Sequence, residues 1–152
     1  MAKQNTMEER LAHLNEERAR VQAGGGEARI AKQHEKGKLT ARERIAVFTD
    51  PGSFIETGAF RKNRTTAFGM DKADMPADGV VTGHASVMGR PVYVASQDFT
   101  VVGGSAGEVH NTKVTETMES ALMNGAPFVF INDSGGARVQ EGIDSLSGYG
   151  QV

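Results

Sequence analysis

The sequence predicts an α/β fold that begins with a helical arm. Three observations lead there. Amphipathic helical spacing and paired helix-start signals are confined to the first fifty residues, two β-rich runs flank Met88-Gly89, and a long helical segment then separates those runs from the apolar stretch Ala126 to Ile131. With 152 residues there is room for one compact domain plus an appendage, not for two well-buried ones.

Thr6 followed by Glu9 reads as a capping box, and Met7, Leu11, Leu14 and Val21 then recur on one helical face, so residues 6 to 22 are expected to be helical. "AGGGE" (Ala23 to Glu27) stops that helix, and a short helical stretch follows as far as Lys36, broken at Gly37. Thr40 and Glu43 form a second capping box, opening a helix to about Phe48 ahead of the Asp50-Pro51-Gly52 turn. Residues 1 to 52 are therefore an arm. Residues 53 to 78 lead into the sheet as a short strand and loop, and "GVVTGHASVMGRPVYVASQDF" reads as a hairpin about Met88-Gly89. A glycine turn, a helix from about Ala106 to Asn124 closed by Gly125, and a buried strand from Pro127 to about Ile131 complete a strand-helix-strand unit, for which parallel strands with a right-handed crossover are expected. A last helix is expected to begin at Arg138.

Composition narrows the classes. Apolar residues make up 38% and charged residues 24%, the balance of a globular chain rather than a disordered or coiled-coil one. The longest apolar run is far short of the roughly 20 residues that span a bilayer, and the N-terminus has no secretory pattern, so a cytoplasmic location is expected. Without cysteine there is no thiol nucleophile, disulfide or cysteine-ligated zinc. His13, His34, His84 and His110 show no metal-ligand spacing and read as surface or packing residues; no metal is expected. Residues 1 to 64 carry 13 basic against 9 acidic side chains, and the remainder 4 against 10. The basic residues Lys32, Lys36, Lys38, Arg42 and Arg44, with Arg61, Lys62 and Arg64, form either a solvated helical face or a surface for a polyanion. Interleaved glutamates disfavour nucleic acid and suit a nucleotide-bearing small molecule better.

Two glycine turns, Gly103-Gly104-Ser105 and Ser134-Gly135-Gly136, fall at carboxyl ends of the expected parallel strands, the edge where open α/β sheets bind ligands. A strand-to-helix turn also uses glycine for packing alone, so the position does not by itself settle the role. Neither turn is a P-loop or a dinucleotide fingerprint. Backbone N–H groups at Gly135, Gly136 and Ala137 could polarise a carbonyl oxygen, with small side chains admitting a bulky substrate. Ser134 lacks the flanking pattern of a nucleophile elbow and reads as a helix cap, and Asp133 reads as a turn cap more readily than as a general base. Arg138 could hold a phosphate or pair with Glu141 or Asp144, the ion pair being the simpler assignment.

Four segments, "KQHEKGKLTARERI" (Lys32 to Ile45), "GAFRKNRTTAFGMDKADMPADGVVTG" (Gly58 to Gly83), "SQDFTVVGGSAGE" (Ser96 to Glu108) and "NDSGGARVQEGIDSLSGYG" (Asn132 to Gly150), closely resemble the N-terminal part of the biotin-dependent acyl-CoA carboxyltransferases, the family of the transcarboxylase and propionyl-CoA carboxylase carboxyltransferase subunits. The resemblance implies a crotonase-like fold of stacked β-β-α turns, with residues 53 to 152 the first part of an acyl-CoA-binding domain. It also implies a hexameric assembly and biotin presented by a partner protein or domain, whose carboxyl group is exchanged with propionyl-CoA or methylmalonyl-CoA through a thioester enolate. Carried over onto "SGGAR", it makes Ala137 N–H an oxyanion donor with Gly136 beside it. Gly135, Arg138, Lys38 and Arg42 become the candidate coenzyme A contacts. Family members are several times longer, so the chain is expected to be a fragment with little activity alone and with an apolar sheet edge exposed. Two other readings share the motifs: the α subunit of a sodium-pumping acyl-CoA decarboxylase, and a non-catalytic assembly module docking through its arm.

Overall fold

The computed structural model describes residues 6–152, so the first five residues of the expected arm lie outside it. Helix α1 (Met7–Gln22) starts where its signal predicts: Glu9 N–H donates to Thr6 Oγ1 at 3.2 Å, and Thr6 N–H donates to the Glu9 carboxylate at 2.8 Å. Its apolar stripe is mostly open, since only Val21 is buried while Met7 and Leu11 are exposed. A Cβ on Gly25 would lie 1.9 Å from the Thr100 carbonyl oxygen, so the glycine run after α1 is what lets the arm close onto the segment that follows Gln97. Helix α2 (Glu27–Glu35) and helix α3 (Ala41–Phe48) follow, the latter with the predicted capping box of Thr40 and Glu43.

The sheet has strand order β1 (Ile55–Thr57), β2 (Val80–Val87), β3 (Arg90–Gln97), β4 (Phe128–Ile131). Strands β2 and β3 are the expected hairpin, and Asp50 fixes its turn by accepting from the Met88 and Gly89 N–H groups, both at 2.9 Å, and from the Ser86 hydroxyl. Strand β4 runs parallel to β3, Tyr93 opposite Phe128 and Ser96 opposite Ile131, joined through helix α4 (Glu108–Met123). Both faces of the sheet are covered. Val81, Val92 and Val94 pack with Ala41 and Ile45 of α3, while Val80, Ala95 and Val114 of α4 form the core on the other side. Successive strand residues point to opposite faces, so cover on both sides buries consecutive residues, Val80 to Gly83 in β2 and Val94 to Gln97 in β3, rather than every second one.

The chain differs from expectation after β4. No helix begins at Arg138: the backbone stays extended, Ala137 forms a parallel bridge with Ala106, and a 3-10 turn at Val139–Glu141 precedes the short helix α5 (Ile143–Tyr149). The reason lies in the Arg138 side chain, which is fully buried under the loop and holds this segment in line with the β3–α4 connection. The stretch 53 to 78, expected as a short strand and loop, holds the strand β1 and then carries two 3-10 stretches, Ala67–Lys72 and Pro76–Gly79, the second running one residue past it.

Candidate active site

The two glycine turns lie side by side beyond the ends of β3 and β4. Gly135 N–H donates to Gly103 O at 2.9 Å, Ala106 N–H to Gly136 O at 2.9 Å, and Arg138 N–H to Ala106 O at 2.9 Å. A Cβ on Gly104 would sit 2.3 Å from the Asp133 carbonyl oxygen, so this glycine serves close approach. Gly136 serves conformation instead: its φ is +104° and a Cβ there would meet nothing within 4 Å.

In a parallel bridge the residue on one strand bonds to the neighbours of its partner, and the partner's own N–H and C=O point the other way. Ala106 bonds to Gly136 and Arg138, so Ala137 N–H faces outward. Among the described residues no group accepts from it, and Ala137 is half-buried beside the open space at Gly136. The candidate donor is thus a strand amide, not the helix N-terminal amide that the sequence suggests. Ser134 is corrected likewise: its Oγ accepts from Gly136 N–H at 3.0 Å, closing a turn rather than capping a helix.

The arm clamps this loop from one side. Asp133 accepts from Gln33 Nε2 at 2.8 Å and pairs with Lys38 at 3.0 Å and with Arg44. Burial alone would raise its pKa, but hydrogen bonds from Arg44, Lys38 and Gln33 outweigh that and hold the carboxyl below its usual range. Asp133 therefore joins two segments of chain, a role beyond the turn cap expected for it.

Below the loop sits a buried polar cluster that spacing in the sequence did not reveal. The Arg138 guanidinium pairs with Asp78 at 2.6 Å and Glu141 at 2.7 Å and donates to Ser105 O at 2.7 Å. Arg138 and Asp78 are both fully buried, so Arg138 has no face left for coenzyme A, and the ion pair with Glu141 is the reading that holds. Burial raises the Asp78 carboxyl even with Arg138 beside it. Lys113 Nζ donates to Ala77 O at 2.7 Å and to Val80 O, and burial brings its pKa down to about 8. Two runs of left-handed backbone meet here, Ala77 to Gly79 and Val102 to Gly104, with φ between +47° and +72°. Such conformations cost of order 1–3 kcal/mol per non-glycine residue and cluster at functional sites.

A cleft of about 350 Å³ opens beside Gly103 between α2 and the β3–α4 loop, lined by Arg29, Lys32, Lys36, Phe99 and Thr100. Lys36 and Lys38 ammonium groups stand 5.8 and 5.6 Å from the Phe99 ring centre. Of the candidate coenzyme A contacts, Lys38 lies at this rim. Arg42 does not: its guanidinium forms a bidentate pair with Glu56 at 2.5 and 2.9 Å, on the β1 side of the sheet. Of this lining, Lys32 and Lys36 were legible as members of a mixed basic run, while nothing in the sequence singled out Arg29 or Phe99. Among the described residues no group of His, Cys, Asp or Glu is arranged to hold a metal, and no helix is long and apolar enough to cross a membrane.

The carboxyl transferase domain family matches residues 32–152. The chain is 66% identical, over 97% of its length, to the methylmalonyl-CoA carboxyltransferase 12S subunit of Propionibacterium freudenreichii subsp. shermanii, and covers 28% of that protein. It is 51% identical over 97% of its length to the methylmalonyl-CoA decarboxylase subunit alpha of Veillonella parvula, covering 29% of that relative. The crystal structure of transcarboxylase 12S, a hexamer with methylmalonyl-coenzyme A and methylmalonic acid bound, superimposes with a TM-score of 0.95 at 64% identity, over 99% of this chain and 29% of that one. The chain thus spans less than a third of the length of the relatives it matches.

Proposed function

The chain belongs to the carboxyl transferase domain family and holds part of its crotonase-like α/β fold, and from that premise we propose that residues 53–152 form the thioester-binding part of a cytoplasmic acyl-CoA carboxyltransferase, with residues 1–52 as its arm. One observation carries the reading: Ala137 N–H is turned outward by the bridge to Ala106, with no acceptor among the described residues, next to a basic cleft.

The chemistry follows from where charge develops. When bound, carboxybiotin would supply CO2 and, as the biotin anion left behind, the acceptor for the α-proton of propionyl-CoA; loss of that proton places negative charge on the thioester oxygen, and the enolate carbon attacks CO2 to give methylmalonyl-CoA. A donor fixed at that oxygen stabilises the enolate more than the neutral thioester, and loss of one such donor costs roughly 10²–10³ in kcat in hydrolases that use the same device. Gly135 and Gly136 leave room for the acyl group, while Arg29, Lys32, Lys36 and Lys38 offer positive charge to the coenzyme A phosphates. Biotin, presented on a carrier domain of a partner, supplies the carboxyl group when bound. None of the described residues is assigned to it, because the outward amide is used by the thioester. A hexamer of full-length subunits is the assembly in which the site is completed.

Decarboxylation of methylmalonyl-CoA leaves the same enolate, and the Veillonella decarboxylase subunit matches over the same span. The role of Ala137 N–H is identical in that second reading. Calorimetry on the chain tests the site they share. Propionyl-CoA and coenzyme A are expected to bind with affinity that falls as salt rises, and Lys32→Ala with Lys36→Ala is expected to weaken both about tenfold. A folded chain that takes up neither would overturn the reading.

A further inference from the structure

The loop from Asp133 to Arg138 is held at both ends by one buried hydrogen-bonded run. Asp133 N–H donates to Gln97 Oε1 at 3.1 Å, Gln97 Nε2 meets His110 Nε2 at 3.3 Å, His110 Nδ1 lies 3.0 Å from Asp78 O, and Asp78 Oδ1 pairs with Arg138 at 2.6 Å. Asp78 Oδ2 also accepts from the His110 backbone N–H at 2.8 Å. Gln97, His110, Asp78 and Arg138 are all at most 4% exposed. We propose that His110, held as its neutral Nδ1–H tautomer, is a positioning residue that aims the Ala137 amide through Gln97 at one end of the loop and through Asp78 and Arg138 at the other. This deepens the carboxyltransferase reading and rests on it.

The hydrogen-bonding capacities of the fixed groups decide the tautomer. A backbone carbonyl only accepts, so the His110 nitrogen facing Asp78 O must carry the proton. A backbone N–H only donates, so the Gln97 atom facing Asp133 must be the carbonyl oxygen, which turns the Gln97 amide NH2 toward His110 Nε2. That nitrogen must then offer a lone pair. Both ends of the run demand the same state. The charged groups around the ring are Asp78 from the turn before β2, Arg138 from the loop after β4, and Lys113 on α4 itself. Burial is the main reason the imidazole stays neutral down to about pH 3, with the two cations adding to it against the Asp78 hydrogen bond. A proton on Nε2 would set donor against donor at Gln97; relieving this turns the Gln97 amide over and removes the acceptor from Asp133.

Two measurements on the chain test this. In the nitrogen-15 spectrum of histidine-labelled protein, His110 is expected to show the single neutral Nδ1–H form from about pH 5 to 8. The Nε2–H tautomer, or an imidazolium in that range, would overturn the proposal without any variant. The second measurement follows the Ala137 amide cross-peak on adding propionyl-CoA, corrected for its movement with coenzyme A alone. His110→Asn keeps a donor for Asp78 O but loses the acceptor for Gln97, and Gln97→Met breaks the link to Asp133. Both are expected to leave coenzyme A affinity within about twofold while removing more than about half of the Ala137 response. Folded variants with the full response sink the positioning role alone. A parent chain whose Ala137 amide ignores propionyl-CoA sinks the carboxyltransferase reading beneath it.

Discussion

Glycines at Gly104 and Gly136 look alike in sequence and do different work, which gives them different substitution costs. Alanine at 104 would drive Cβ to 2.3 Å from Asp133 O and also sit at φ +62°, so the loop must move; destabilisation of about 3 kcal/mol is expected by urea unfolding. Alanine at 136 meets open space and keeps only the cost of φ +104°, about 1–2 kcal/mol. Equal costs at the two positions would contradict this division. His110 sets an acid limit on stability. Its pKa is about 3 in the fold against an ordinary 6.5, so the unfolded chain takes up a proton first. Its contribution is complete above about pH 6.5 and is lost as pH falls toward 3, with a slope of up to about 1.4 kcal/mol per pH unit. Asp133, held low by its partners, loses stabilising charge in acid as well, while Asp78, raised by burial, acts in the opposite sense. Unfolding midpoints measured across that range should fall on acidification, and less steeply in His110→Gln.

At the scale of elements, the arm is fastened to the loop after β4 by one carboxylate. Helix α2 contributes Gln33, helix α3 contributes Arg44, Lys38 lies between them, and all three converge on Asp133 at the end of β4. The Thr40–Glu43 box fixes where α3 begins and so where Arg44 points. Asp133→Ala leaves Arg44, only 17% exposed at its side chain, without its partner. A loss of about 2–4 kcal/mol is expected, below or at the lower part of the range for fully buried pairs. Amide exchange should accelerate in α2 and α3 ahead of β2 and β3; uniform acceleration would mean that the arm is not held by this contact. Helix starts and stops in this region were legible because capping is local chemistry. The bridge at Ala137 was not, because the sequence "GGARVQEG" suits a helix start equally well, and the extended path is fixed by Asp78, sixty residues away, acting on Arg138.

For the molecule as a whole, several large apolar side chains at the end of α4, in the turn after Arg138 and on α5 are left exposed. Strand β4 is the end strand of the sheet, with all four residues half-buried, and Leu122, Met123, Val139, Ile143 and Leu146 are exposed between 57% and 82%. A monomer rarely leaves so much apolar surface together with an unpaired strand edge. Sedimentation is therefore expected to show concentration-dependent self-association, reduced in Val139→Lys with Ile143→Lys. A strictly monomeric chain at high concentration would show that these groups are too scattered to drive contact.

What the amino-acid order determined alone was the arm, the hairpin, the parallel strand-helix-strand unit and the family motif around Ala137, because each is written in contacts a few residues apart. Only the tertiary structure decided that Arg138 is buried rather than a coenzyme A ligand, that Arg42 belongs to Glu56, and that Arg29, Lys32 and Phe99 share a cleft. It also decided that Ala137 N–H points outward as a strand amide. Those outcomes depend on which distant groups can satisfy a buried charge or a backbone donor, and spacing along the chain carries no record of that competition.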